Sequence, residues 1–264
     1  MLNKMQAAII KKDIYNITSN KRTMSALVVV PIMMVVVMPV IFISIILFTP
    51  EDSSDMTELL QILQYVKVES GDTRHQLILM ILDYVIPMFF LLIPIMASSV
   101  MASSSFVGEK EKSTLETLLY CPLSLKEIFN AKISASFILS MIVSYSSFII
   151  MIITVEAYLL IADKTLFTPN INWLTMMLLV SPAAALISIN MIVRGSAKSQ
   201  TSEEAQQSSL FLVMPVILLI IGQFTGIMMM GPHIFLILGA VLAVIAILTF
   251  KNSYNKFTYE KLLK

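Results

Sequence analysis

Charged side chains are scarce in this chain, and they are concentrated in short segments. Of its 264 residues, 13% are Asp, Glu, Lys or Arg and 57% are hydrophobic, whereas soluble globular domains carry about 25% charged residues. The mean hydropathy is +0.86. This composition excludes an ordinary soluble domain and indicates an integral membrane protein.

Cysteine, glycine and histidine are also rare, and each shortage excludes a class of function. Cys121 is the single cysteine, which excludes an internal disulfide and a thiolate metal cluster. None of the seven glycines begins the G-x-x-x-x-G-K-[ST] loop of nucleotide-hydrolysing proteins. His75 and His233 lie at the edges of apolar runs rather than as a pair at helical spacing, which disfavours an intramembrane metalloenzyme.

The chain instead contains long uncharged runs: Thr23–Pro50, Ile133–Val155, Thr165–Val193, Ala205–Phe250, and Leu77–Val107 with Asp83 as its single charge. A membrane-spanning helix needs about 20 apolar residues, and Gly231-Pro232 divides the longest run into two. We therefore predict an all-α integral membrane protein, with one domain over 1–264. The six predicted transmembrane helices are 24–49, 77–105, 134–160, 173–193, 209–229 and 233–250.

Lysine and arginine are distributed unevenly between the two sides of these six spans. The side that holds the termini carries Lys4, Lys11, Lys12, Lys21, Arg22, Lys110, Lys112, Lys126, Lys132, Arg194, Lys198, Lys251, Lys256, Lys261 and Lys264. The other side carries Lys67, Arg74 and Lys164. Because cytoplasmic loops carry the excess of basic residues, both termini are predicted to be cytoplasmic.

Two further helices are predicted outside the spans. In the first 22 residues, an apolar side indicates an amphipathic interfacial helix, although Asn3 and Asp13 interrupt it; its members are Leu2, Met5, Ile9, Ile10, Ile14 and Ile17. In the outer loop 50–76, apolar residues at helical spacing predict a short helix on the outer surface; they are Met56, Leu59, Leu60, Leu63 and Val66.

The segment between spans two and three has a pattern typical of two short capped helices. Ser113 with Glu116, and Ser124 with Glu127, have the spacing of a capping box, and Pro122 separates the two pairs. The first helix is predicted at 114–120, and the second runs from Ser124 directly into span three. The leucines of the first helix could dock into another protein or pack against the spans of this chain.

The amino-acid sequence of this segment resembles a known family signature. "GEKEKSTLETLLYCPLSLKEIFNAKI", which begins at residue 108, is similar to the segment that follows the second span in ABC-2 type transporter permeases. The matching positions are Gly108, Glu109, Lys110, Glu111, Lys112, Thr114, Leu115, Glu116, Leu118, Leu119, Pro122, Leu123, Ser124, Glu127, Ile128 and Lys132. Ala131 replaces the family's usual glycine. Residues 194–209 resemble the family's loop between spans four and five, and the short connection between spans five and six leaves little room for the outer helices of some members.

The resemblance implies a transport function for the segment 108–132, which would be the coupling segment that docks on a cytoplasmic ATPase. The residues expected to act in coupling are Glu109, Glu111, Thr114, Leu115, Glu116, Leu118, Leu119, Pro122, Ser124 and Glu127. This chain would then be a non-enzymatic permease subunit without a cofactor, and its partner would bind ATP and Mg²⁺. Expected partners are that ATPase, a second permease copy or paralogue, and membrane lipids, but no nucleic acid. The expected location is the cell membrane, of prokaryotic type.

An ATP-independent secondary transporter or channel is the alternative. It would use Asp83 and Glu156 on the substrate path, since acidic residues within spans are functional candidates. The twenty methionines suit export of an amphipathic peptide or lipophilic small molecule, although they could equally fill the membrane interior. Prolines within the predicted spans predict kinks that act either as hinges or as packing features; they are Pro31, Pro39, Pro87, Pro94, Pro182 and Pro215.

Overall fold

The computed structural model describes residues 4–50, 73–114, 122–162, 165–196, 198–224 and 232–256. Six helices in it are long and apolar enough to cross a membrane: Thr23–Phe48, Arg74–Glu111, Leu125–Ala162, Ile171–Gly195, Ser202–Gln223 and His233–Ser253. They are called spans one to six below. The predicted all-α, six-span fold is confirmed. The helix predicted in the outer loop, most of the helix predicted at 114–120, and Cys121 lie outside the described residues.

The helical segments within and around the spans are Lys4–Ser19, Lys21–Ile32, Met38–Phe48, Thr73–Met80, Ile86–Phe90, Leu92–Glu111, Leu125–Ala162, Ile171–Thr175, Ser181–Gly195, Ser202–Gln207, Leu210–Phe224 and Pro232–Lys256. Three π-helical turns lie between them, Met33–Val37, Ile81–Val85 and Met176–Val180. Lys4–Ser19, called the N-terminal helix, confirms a helix in this region. Spans two and three extend beyond the predicted 105 and 134, because their charged ends remain helical where they pair with other elements.

Each π-helical turn ends two residues before a proline, namely Pro39, Pro87 or Pro182. A proline ring clashes with the carbonyl four residues earlier and cannot donate to it. The residue just before each proline instead donates to the carbonyl five residues back: Met38 to Met33, Ile86 to Ile81 and Ser181 to Met176. The prolines therefore widen these helices locally rather than ending them.

Spans two and four form the centre of the bundle. In each, 72% of the most apolar stretch is buried, compared with 22% in span five and 17% in span six. The indole of Trp173 in span four packs against Phe90 and Phe148, with ring centroids 5.7 and 5.1 Å away. Spans five and six therefore present most of their apolar side chains outward, as lipid-facing helices do.

Side-chain contacts show which connections share an end of the bundle. Near the N-terminus, Lys12 pairs with Glu109 at the end of span two. The Arg194 Nε at the end of span four donates to Ser253 Oγ at the end of span six. We call this the lysine-rich end. At the opposite end, Arg74 donates to the carbonyl of Leu47 near the end of span one and to that of Thr49, which follows the span.

Candidate functional site

The coupling segment begins where span two ends, and this end is closed by backbone hydrogen bonds. Thr114 N donates to Glu109 O at 2.8 Å, and Ser113 N donates to Lys110 O at 3.1 Å. Together they form a Schellman motif, with Ser113 at φ 55° as its left-handed residue. A helix N-cap has extended backbone instead, so the prediction that Ser113 caps a following helix was wrong: its conformation serves the end of span two.

The coupling segment returns to the membrane at the start of span three, where the second predicted capping box is confirmed. Ser124 N donates to Glu127 Oε2 at 2.8 Å, and Glu127 N donates to Ser124 Oγ at 3.3 Å. The helix then continues from Leu125 to Ala162 without interruption, as predicted. Both ends of the coupling segment are therefore fixed by local hydrogen bonds that the sequence itself supplies.

A buried ion cluster joins these two ends. Lys132 Nζ lies 3.3 Å from Glu109 Oε1 and 3.5 Å from Asp13 Oδ2, and it donates to Ser105 O at 2.5 Å. Lys132 and Asp13 are each only 3% exposed. Lys12 Nζ adds a second cation, 2.8 Å from Glu109 Oε1. Because buried charges are costly unless paired, this cluster fixes the relative position of its members.

Asp13 explains how the N-terminal helix takes part in this cluster. Ile9, Asp13 and Ile17 are its buried residues, at spacings of four, so they share one face. Asp13 interrupts the apolar side because its Oδ2 accepts from Ser105 Oγ at 2.5 Å and pairs with Lys132. The N-terminal helix is thereby attached to span two and to span three.

A second connection joins the end of span two to the start of span five. Glu111 Oε2 accepts from Ser202 N at 3.2 Å and from Ser202 Oγ at 2.9 Å. Ser202 begins the short helix Ser202–Gln207, whose N-cap Thr201 accepts from Glu204 N. The Glu111 carboxylate is thus placed at the start of that helix, where negative charge is favourable. The two segments that resemble family motifs are therefore in contact.

The remaining predicted coupling residues have different positions. Thr114, Pro122 and Ser124 are exposed at the lysine-rich end, and Thr114 Oγ1 donates to Glu109 O at 3.3 Å. Leu123 packs against a small buried cluster that contains Ile9 of the N-terminal helix. Leu115, Glu116, Leu118 and Leu119 lie outside the described residues.

The structure places the two acidic candidates for a substrate path away from this site. Asp83 Oδ1 accepts from Asn170 N at 3.3 Å, just before span four. Ile86 N, the usual helical donor to Leu82 O, donates to Ile81 O instead, and Pro87 has no N–H to donate to Asp83 O, so the carbonyls of Leu82 and Asp83 lose their usual helical donors. Trp173 Nε1 and Asn172 Nδ2 donate to them at 3.1 Å each. Asp83 therefore belongs to the contact between spans two and four.

Glu156 lies in span three and is half-buried. Across the described residues, no hydrogen bond or ion pair joins Glu156 to Asp83. The structure thus does not bring the two acids together into one site. It brings Glu109 together with Asp13 and Lys132, a set that sequence reasoning did not group. The interruption of an apolar face by Asp13 was the signal available in the sequence.

Comparison with known proteins gives a match at the level of a protein family. A search among curated proteins gives no significant match, and neither does a search among solved structures. The family model described as "ABC-2 family transporter protein" matches residues 7–258, which include the N-terminal helix from residue 7, all six spans and the coupling segment. The chain therefore belongs to the ABC-2 transporter family, as a multi-pass membrane permease.

Proposed function

We propose that this chain is the membrane subunit of an ATP-driven exporter and that residues 108–132 couple it to a separate ATPase chain. The observation that carries the proposal is that hydrogen bonds and an ion pair fix the two ends of this segment relative to each other. Span two ends in a Schellman motif at Ser113, and span three starts with the capping box at Ser124. Lys132 of span three pairs with Glu109 of span two and so joins the two ends. Thr114 and Pro122, which flank the rest of this segment, are thereby held at one end of the bundle.

The contacts at the two ends of this segment support a role in transmitting movement from the ATPase to the spans. An ATPase that pushes on residues 115–121 would displace the ends of spans two and three together, because the Glu109–Lys132 pair joins them. Asp13 extends the displacement to the N-terminal helix, and Glu111 extends it to the start of span five through Ser202. These contacts connect the ends of the coupling segment to the N-terminal helix and to span five.

The complete transporter would contain two permease chains, identical or paralogous, and two cytoplasmic ATPase chains that bind ATP and Mg²⁺. In this assembly the lysine-rich end faces the cytoplasm of a prokaryotic-type cell. The substrate that we propose is an amphipathic peptide or a lipophilic small molecule. The twenty methionines support an apolar path, because flexible thioethers accommodate varied apolar ligands.

The test is co-purification with the P-loop ATPase that we expect the neighbouring open reading frame to encode. Leu118→Ser combined with Leu119→Ser removes two apolar side chains, each worth about 1.5–3 kcal/mol when fully buried. Partial burial that totals about 2 kcal/mol corresponds to a loss of about thirtyfold in affinity. The double variant should insert into the membrane normally, recover much less ATPase, and lose substrate-stimulated hydrolysis.

A matched control is available at the opposite end of span three. Leu160→Ser combined with Ile161→Ser makes the same chemical change at side chains that are 50% and 84% exposed, and it should leave ATPase recovery intact. Membrane abundance is measured beside complex recovery for both variants. If the Leu118/Leu119 variant loses abundance and complex to the same extent, those leucines only stabilise the permease, and the docking proposal is wrong.

A further inference from the structure

A cavity of about 200 Å³ lies between the N-terminal helix and the end of span two, at the lysine-rich end. Asn16 and Ile17 line it from the N-terminal helix, and Ser104, Gly108, Glu109 and Lys112 line it from span two and its C-cap. Lys12 and Asp13 also line it, so the wall combines two acids, two bases and neutral polar groups. A ligand that fits this wall needs both a hydrogen-bond donor and an anionic group.

The demand for a donor comes from Glu109. Its Oε1 is paired with both Lys12 and Lys132, at 2.8 and 3.3 Å, but its Oε2 is shielded from solvent and has no hydrogen-bond partner among the residues that the structure describes. The side chain as a whole is only 9% exposed. An ionised carboxylate oxygen can only accept, and buried polar atoms in proteins are almost always satisfied. A ligand N–H at this position would supply the missing donor.

The demand for an anionic group comes from Lys112. It follows directly after the last residue of span two, Glu111, and its side chain is exposed. Within the described residues no ion pair involves Lys112. Glu109 and Lys112 are three positions apart at the end of a helix, so their side chains project to the same side. Both residues line the same cavity, where Lys112 supplies a cation and Glu109 supplies a carboxylate oxygen that has no donor among the described residues.

We propose that this cavity binds the headgroup of a zwitterionic aminophospholipid, such as phosphatidylethanolamine. Its primary ammonium would donate to Glu109 Oε2, and its phosphate would lie beside Lys112. The cavity is at the end of a membrane span and beside an amphipathic helix, which is where headgroups and basic side chains meet. A headgroup at this position would join the N-terminal helix to span two alongside the Lys12–Glu109 pair.

The proposal distinguishes ethanolamine from choline. Both headgroups are zwitterionic and contain the same phosphate, but the quaternary ammonium of choline has no N–H to donate to Glu109. The test is native mass spectrometry of the full-length chain, released from nanodiscs that contain equal amounts of phosphatidylethanolamine, phosphatidylcholine and phosphatidylglycerol. One charge-assisted hydrogen bond should favour retention of phosphatidylethanolamine over phosphatidylcholine by about tenfold.

Two variants address the site itself. Lys112→Gln removes the cation beside the phosphate that both zwitterionic lipids share, so it should weaken the retention of both and leave their ratio unchanged. Ser104→Leu fills the cavity without changing any charge, and it should reduce the preference to near unity. Lys198→Gln removes an exposed lysine that does not line the cavity, and it should keep the full preference. Glu109→Gln should also abolish the preference, but the two other variants are decisive because they leave the buried ion cluster intact.

Three results would overturn the proposal. Equal retention of phosphatidylethanolamine and phosphatidylcholine by the unmodified chain would mean that no donor is recognised. Preferential retention of phosphatidylglycerol would mean that the site selects an anion. Soluble O-phosphoethanolamine that binds the lipid-free chain as tightly as the lipid does would assign the site to a small soluble metabolite instead.

Discussion

Lys132 and Glu109 form an ion pair, 3.3 Å from Nζ to Oε1, across the base of the coupling segment. The same ammonium lies 3.5 Å from the Asp13 carboxylate and donates to Ser105 O. One buried cation therefore contacts span two and the N-terminal helix while it belongs to span three. Any displacement of the coupling segment must move these three elements together or break the pairing.

Replacement of Lys132 by methionine tests this dependence. Lys132→Met keeps much of the side-chain volume but leaves Asp13 without its cation, and removal of one partner from a buried ion pair typically costs about 3–5 kcal/mol. We expect the free energy of unfolding, measured by denaturation in a mild detergent, to fall by an amount in that range. Membrane insertion itself should continue.

The control for this change removes the opposing charge as well. Asp13→Asn combined with Lys132→Met leaves no uncompensated charge at this pair, so the double variant should be more stable than the sum of the two single losses predicts. Additive losses would show that Asp13 and Lys132 do not interact energetically, and the proposed connection to the N-terminal helix would then be wrong.

The capping box at the start of span three predicts a local effect. Ser124→Ala removes the Oγ that accepts from Glu127 N, and loss of such a cap costs about 1 kcal/mol. Because local opening controls amide exchange, hydrogen exchange over residues 125–127 should become about fivefold faster. Ser146→Ala, in the middle of the same helix, is the matched control and should leave that first turn unchanged. Equal exchange in Ser124→Ala and the unmodified chain would contradict the cap.

The spans and the Ser124 cap could be predicted because they depend on neighbouring residues. Uncharged runs of membrane length predict spans, and the spacing of Ser124 and Glu127 places both partners within one helical turn. The error at Ser113 has a related cause. Its neighbours are compatible either with an N-cap or with a Schellman motif, and the continuation of span two to Glu111 decides in favour of the second.

The ion cluster could not be predicted, because its members are far apart in the chain. Asp13 was visible only as an interruption of an apolar face, and its partner Lys132 lies in another helix. The π-helical turns show the same limit. Each proline indicated a kink, but the freed carbonyls of Leu82 and Asp83 are satisfied by Trp173 and Asn172 of span four, which is a tertiary contact.

Trp173 allows a test of that tertiary contact. Trp173→Phe keeps an aromatic ring beside Phe90 and Phe148 but removes the N–H that donates to Leu82 O at 3.1 Å. The buried carbonyl would then lack a donor, at a cost of about 1–3 kcal/mol. We expect a decrease of this size in the free energy of unfolding, measured by far-ultraviolet circular dichroism, since the variant has no tryptophan for fluorescence.

Trp173→Leu provides the comparison, because it removes the same N–H together with the ring packing. It should destabilise the protein more than Trp173→Phe does, by the additional loss of aromatic contacts. If Trp173→Phe were as stable as the unmodified chain, the hydrogen bond to Leu82 would contribute nothing, and the π-helical turn would be maintained without it.

Cys121 provides a test of orientation without any engineered residue, because it is the only cysteine of the chain. It directly precedes Pro122, which is exposed at the lysine-rich end. The excess of lysine and arginine at that end predicts that it faces the cytoplasm. A membrane-impermeant maleimide should therefore label Cys121 in inverted vesicles, or after permeabilisation, but not in intact cells. Labelling should also decrease when the ATPase is bound, if the segment docks as proposed. Efficient labelling of intact cells would reverse the orientation, and a cytoplasmic ATPase could then not reach the coupling segment.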